Sequence, residues 1–251
     1  MKRFYTGCGA VAVGTQWQVK LDGRNVRTQG GLPQLVPSQP LAQAMVAEWD
    51  AQGADIDPGG FPLRDLTDYA IDVVQPDPGK VADGLLRFAE TDTLCYQAEP
   101  DEALGMRQRE AWEPLILATE DRLSVRFIRL AGVIHRPQPG ETITALHADM
   151  VRLGAFELAA LHTLASLAAS LVVGLAALDP AANAQALFAA SNLEEDWQAE
   201  LWGKDDAATL LRARRLAGFC EAARFVQLAR DRGTNSNLVE NLVSRDDSGK
   251  D

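Results

Sequence analysis

Cys95, with a histidine partner, and Asp92, set between Thr91 and Thr93, are the side chains best suited by type to nucleophilic or acid–base chemistry. Their surroundings point elsewhere. Thr91 to Tyr96 is rich in β-branched and aromatic residues and reads as a strand. A cysteine there is a buried core residue, and a short polar residue at a strand's start bonds local backbone. Gly7-Cys8-Gly9 with Gly14 imitates a dinucleotide loop, but it leads into strand-like Ala10 to Val13 and not into a helix. No G-x-x-x-x-G-K-[ST] and no G-x-S-x-G occurs, and no Ser/His/Asp set assembles. His135, His147 and His162 have no metal spacing, so no metal site and no cofactor is expected. His162 sits in an apolar helical run and reads as a core histidine.

The most informative stretch is Leu193 to Gly203, where an acidic block and two tryptophans share three helical turns. Leu193, Trp197 and Leu201 recur every four residues and line one face. Glu194, Asp196 and Trp202 point elsewhere, and Gly203 stops the helix. Two readings stay open: a core helix with a solvated acidic face, or a helix that shows a surface to a partner.

The elements around it divide the chain in two. Trp17 to Leu21 and Arg24 to Thr28 read as strands around the Asp22-Gly23 turn, with a further short strand at Leu32 to Val36. Ser38 caps a helix with the stripe Leu41, Met45, Trp49, ending at Gly53. Pro62 opens a second helix through Leu66, Ala70 and Val73, and a third runs from about Lys80 to Ala89. Asp101 caps the next, which carries Leu104, Gln108, Trp112 and Leu115 and which Pro114 must kink or restart. Ser124 to Leu130 is the last strand signal, and Arg136 to Gly140 is a linker by composition. This predicts an α+β N-terminal domain over 1–136, an all-α helical bundle over 141–232 and a flexible tail over 233–251.

Composition narrows the function classes. The 251 residues are 47% hydrophobic and 24% charged, ordinary for a soluble globular protein. A net charge of −11 argues against a nucleic-acid partner. Three scattered cysteines, without CxxC, suit a reducing compartment. The first residues lack the apolar run of a signal peptide, so a bacterial-type cytoplasmic protein is expected. Leu158 to Leu178 has the length of a membrane span, but its small residues and bare flanks read as one buried helix. Charge is uneven in the helical half. Leu193 to Asp206 carries six acids against Lys204, and Leu210 to Arg232 carries six arginines against two acids. Two neighbouring helices can pair across such edges, or the contrast can steer a partner.

The motifs together resemble a known family. They are Leu21-Asp22-Gly23-Arg24 with Thr28; Glu48-Trp49-Asp50-Ala51-Gln52; Pro62-Leu63; Thr91 to Tyr96; Gln108 with Trp112-Glu113-Pro114-Leu115; and Leu193-Glu194-Glu195 through Gln198 to Trp202-Gly203. In order and spacing they resemble the assembly chaperones that bind the alpha subunit of the F-type ATP synthase's catalytic head. Phe61 and Glu113 depart mildly from the pattern, where methionine and aspartate are usual.

The resemblance implies a non-enzymatic chaperone that covers free alpha subunit before it meets beta. A monomer without stable membrane insertion is expected. It implies that the acid opening the last motif, Glu194 with Glu195 one residue away, serves that function, and that Gln198, Trp202 and Gly203 belong to the same surface. Trp49, Trp112 and Trp197 are then structural anchors. The competing reading is a small-molecule enzyme with Asp92, Cys95 or Glu194 in a cleft between the halves.

Overall fold

The N-terminal sheet is built on a hairpin of β1 (Cys8–Val13) and β2 (Gln16–Leu21), with Ala10 opposite Val19. Asp22 and Gly23 both take positive φ, which a tight hairpin turn with the strands' own twist requires. Asp22 also accepts N–H bonds from Gly7 and Thr6, which hold its carboxyl below the usual range. β3 (Arg24–Asn25) and β4 (Leu35–Val36) each pair with β2. The return strand and its successor are therefore two residues long, shorter than their patterns predict. The computed structural model describes residues 1–132, 134–203 and 205–231. The expected tail over 233–251 lies outside the described residues.

α1 (Gln39–Asp50) starts as its sequence predicts. The Ser38 hydroxyl accepts the Leu41 N–H at 3.1 Å and donates to the Leu228 carbonyl at 2.5 Å. Leu41, Met45 and Trp49 are all buried. The helix ends at Asp50, not at Gly53. Arg3 bonds the Asp50 and Gln52 carbonyls, at 3.3 and 2.6 Å, and so does the work of a glycine cap.

α2 (Pro62–Tyr69) has its first turn closed by Glu48, whose oxygens accept the Leu63 and Arg64 N–H groups. A π turn over Ala70–Val74 follows. Leu66 and Ala70 are buried as the stripe predicts, but the extra residue rotates the helix face, so that Val74 is buried in place of Val73. α3 (Pro78–Leu85) and α4 (Arg87–Glu90) replace the single helix predicted there.

Thr91 to Tyr96 is not a strand. Asp92 accepts the Leu94 N–H and draws Thr93–Cys95 into a 3-10 turn, leaving β5 (Tyr96–Gln97). α5 (Ala103–Leu123) follows Glu102, without a side-chain cap from Asp101, and runs on through Pro114 without restarting. A Cβ at Gly105 would lie 2.2 Å from the Glu99 carbonyl oxygen, so glycine lets the preceding loop press on this helix. Ser124 ends α5 in the left-handed region. The predicted strand beyond it is irregular apart from β6 (Leu130–Ala131), which pairs parallel with β5. Side chains replace a strand partner there. Gln138 accepts the Ile128 N–H and donates to its carbonyl, and buried Glu120 accepts the Phe127 N–H and binds Arg129.

Among the described residues no strand follows Ala131. The helices are α6 (Gly140–Met150), α7 (Ala155–Ala168), α8 (Leu171–Ala176), α9 (Ala184–Ser191), α10 (Leu193–Trp202) and α11 (Asp206–Arg230). The apolar run 158–178 is buried, but it is two helices and not one. Ala169 turns left-handed and Ser170 caps α8. Gly174 folds α8 back on α7, where a Cβ would lie 3.1 Å from the Ala165 nitrogen. No described helix is long and apolar enough to cross a membrane. α11 packs on α7, α9, α1 and α2, and one buried cluster runs from Tyr5 to Ala229.

Candidate functional site

Among the described residues, α10 is the one helix of ten residues or more with no fully buried side chain. It is therefore not the core helix that its Leu193/Trp197/Leu201 stripe allows. Leu193 and Trp197 are half-buried, and Leu201 is 57% exposed. Trp197 lies under the Arg107 guanidinium, 5.2 Å from its ring centre, so it anchors α10 to α5 and not to the core. The first turn holds Glu194, Glu195 and Asp196 without a side-chain cap, an arrangement that complements the helix dipole.

Polar contacts hold α10 down. Glu194 accepts from the Gln108 amide of α5 at 2.6 Å, and Glu200 binds Arg107 at 2.7 Å, a contact that raises the Arg107 pKa. On the other side Asp196 pairs with Arg212 at 2.6 Å and Glu195 with Arg215 at 3.2 Å, both from α11. The charge contrast read in the sequence is thus a helix pairing. Arg215 also reaches the Leu167 carbonyl of α7 at 2.9 Å, and Arg212 and Arg215 flank the Phe188 ring.

Large apolar side chains stand exposed on this helix pair. Trp202 is 77% exposed, and Leu210 and Leu211 of α11 are 55% and 59% exposed. Gly203, at φ +92, turns the chain between them. Gln198 is exposed on the same helix. Glu195, Asp196, Ala199, Asp205, Ala208 and Arg212 line a shallow groove of about 200 Å³ between α10 and α11. Exposed apolar side chains with exposed carboxylates at Glu200, Asp205 and Asp206 on the same helix pair suit a protein surface that is both apolar and basic.

The other singled-out residues lie apart. Asp92 and Cys95 are wholly buried. Asp92 spans two elements, accepting the Leu94 N–H and the Val172 N–H that opens α8. Burial pushes its pKa up to about 6 despite these donors. Burial likewise pushes the Cys95 thiol well above its ordinary value, so it holds its proton. Glu194 is on the surface, so the three do not share a cleft. Trp112 is buried and donates to the Ala190 carbonyl at 2.7 Å, tying α5 to the end of α9. Trp49 is 7% exposed, edge-on to Tyr5 and tilted on Phe61. His162 packs on Tyr69, and its pKa is lowered by burial. No described residues group as a metal site.

Leu210, Leu211, Arg107 and the role of Gln108 were not foreseen. The adjacent leucines just beyond the stop glycine were a signal, since no stripe needs them both.

Residues 2–120 match the family model described as ATP12 chaperone protein. The crystal structure of Atp12 from Paracoccus denitrificans superposes with a TM-score of 0.85 at 37% identity, covering 91% of this chain and 98% of that one. The chain belongs to the ATP12 chaperone family. This is the ATP synthase assembly family that its motifs resemble. A lysine-for-aspartate mutant of the Paracoccus protein matches equally well. The mitochondrial protein atp12 of Schizosaccharomyces pombe is 28% identical over 214 residues, 80% of this chain and 74% of that protein.

Proposed function

We propose that this chaperone captures the free alpha subunit of the F-type ATP synthase catalytic head, and that α10 with the start of α11 is its contact surface. The observation that carries this reading is the exposed set Leu201, Trp202, Leu210 and Leu211 on a helix pair held down mainly by charge. An unassembled subunit shows an apolar interface that is prone to wrong contacts. A chaperone must cover it and then yield it to the beta subunit. Exposed apolar side chains with the carboxylates of Glu200, Asp205 and Asp206 nearby give moderate affinity, with charge setting encounter and register. Gln198, Trp202 and Gly203 contribute shape and contact. The role needs no catalysis, and we place it with a monomer in the cytoplasm of a bacterium.

Titration of the protein with purified alpha subunit tests this. Trp202→Ala and Leu210→Asp are expected to weaken binding about tenfold or more each, as an aromatic anchor or a buried leucine does at an interface centre. Binding unchanged in both variants would move the contact surface away from α10.

A further inference from the structure

We propose that Gln108 is the positioning residue of α10, and that Glu194 acts by being latched to it more than by touching the partner. The inference rests on the reading of α10 as the partner-binding helix. The hydrogen-bond geometry on α5 points to it.

Gln108 has no exposed surface, so it cannot itself reach a partner. Its Oε1 accepts the Ala98 N–H at 2.7 Å, and its Nε2 donates to Glu194 Oε1 at 2.6 Å. The amide cannot turn round, because its NH₂ would then face the Ala98 N–H, donor against donor. Ala98 itself is held in place. The neighbouring Glu99 carbonyl sits against Gly105, where a Cβ would come within 2.2 Å. The Gln97 carbonyl accepts the Gly132 N–H beside the β5–β6 pair. Backbone thus fixes the direction in which Gln108 points its NH₂. That NH₂ selects an acceptor at the first turn of α10.

The choice of side chain at 194 follows. A carboxylate or a carboxamide oxygen completes the bond, whereas a lysine ammonium sets donor against donor. Residue 194 is in the first turn of α10, eight residues before Trp202, so this bond sets the register of the whole helix on α5. Beside the half-buried Leu193 and Trp197, the other polar restraints are ion pairs with partly exposed partners, which hold loosely. Without the latch, α10 keeps its sequence and its exposed apolar side chains but not a defined place to present them.

Amide hydrogen exchange of residues 193–202 and titration with purified alpha subunit, both on the full chain, test this. Gln108→Leu removes the donor, and Gln108→Glu sets two carboxylates together. Both are expected to speed exchange in α10 by about tenfold or more, as loss of a hydrogen bond to a charged group does, and to weaken capture. Glu194→Gln keeps an acceptor and is expected to resemble wild type in both readouts. The exchanged pair, Gln108→Glu with Glu194→Gln, lets one carboxylate accept from Ala98 and from residue 194, and should restore both readouts. If the Gln108 variants fail to fold, exposed Glu194→Leu replaces them. It should loosen α10 where Glu194→Gln does not.

Wild-type exchange in the Gln108 variants, or in Glu194→Leu, would overturn the latch. Exchange restored by the exchanged pair without restored capture would make the Glu194 charge a direct partner contact and overturn the positioning role. Failure of the wild-type chain to capture alpha subunit would remove the proposed function, while the exchange data alone would still decide the latch.

Discussion

Trp49 and Trp202 are the same residue type at opposite extremes of exposure, 7% and 77%. Trp49 ends a helix stripe that is buried along its length, against Tyr5 and Phe61. Trp202 ends a helix with no fully buried side chain, held by carboxylates and arginines. The N-terminal core is a region where apolar packing sets position. The α10–α11 pair is a region where polar contacts set position and apolar side chains are left showing. Substitutions in the first should therefore unfold the protein. Substitutions in the second should leave it folded and alter what it binds.

The largest effect is expected at Trp49. Trp49→Arg removes a packed aromatic and buries an unpaired charge, and should lower stability by about 3–5 kcal/mol in a denaturant titration. A loss below about 1 kcal/mol would erase the contrast between the two regions.

Next comes Gly105. A methyl there meets the Glu99 carbonyl, so Gly105→Ala should destabilise by about 1–3 kcal/mol, the usual range for overpacking. Because Gln108 is one turn away, the same variant should raise amide exchange in α10. That would link a packing defect to the loosely held region.

The sequence revealed one region better than the other, for a physical reason. The Leu41/Met45/Trp49 stripe and the Asp22-Gly23 turn were legible because they obey local rules of periodicity and backbone conformation. So was burial over 158–178. Its division into two helices was not legible, because Ala169 carries no signal for a left-handed turn. The strand expected over Thr91 to Tyr96 failed because Asp92 satisfies backbone groups eighty residues away at Val172. The strand over Ser124 to Leu130 failed because Glu120 and Gln138 supply its hydrogen bonds. At α10 the spacing of Leu193, Trp197 and Leu201 does describe a common face. Periodicity cannot tell whether that face meets a core or is left open. The acids were visible, but Gln108 as their holder was not, since the pairing spans 86 residues.

A third prediction concerns pH and the packed region. Burial raises the pKa of Glu48 to about 7, outweighing its bonds to the Leu63 and Arg64 N–H groups. The folded state therefore holds this proton more tightly than the unfolded state. Its contribution is complete below the ordinary value of 4.5 and is lost as pH rises to about 7. Glu48→Gln should flatten the decline of the melting temperature across that window. A wild-type slope unchanged in Glu48→Gln would contradict this.

The smallest effect belongs to the ion pairs on α10. Each is worth about 0–1 kcal/mol and is screened by salt. Raising ionic strength should speed amide exchange in 193–202 several-fold while leaving the global melting temperature nearly fixed. Equal sensitivity of both would mean that α10 and the core unfold together.

The central claim is that the outer face of α10 serves contact and not folding, and the double variant Leu201→Ser/Trp202→Ser tests it most directly. Melting and titration with purified alpha subunit are read on the same sample. The prediction is a melting temperature within about 2 °C of wild type, as for exposed positions, with binding weakened about tenfold or more. A melting temperature lowered by many degrees with binding unchanged would contradict the account and return α10 to the core.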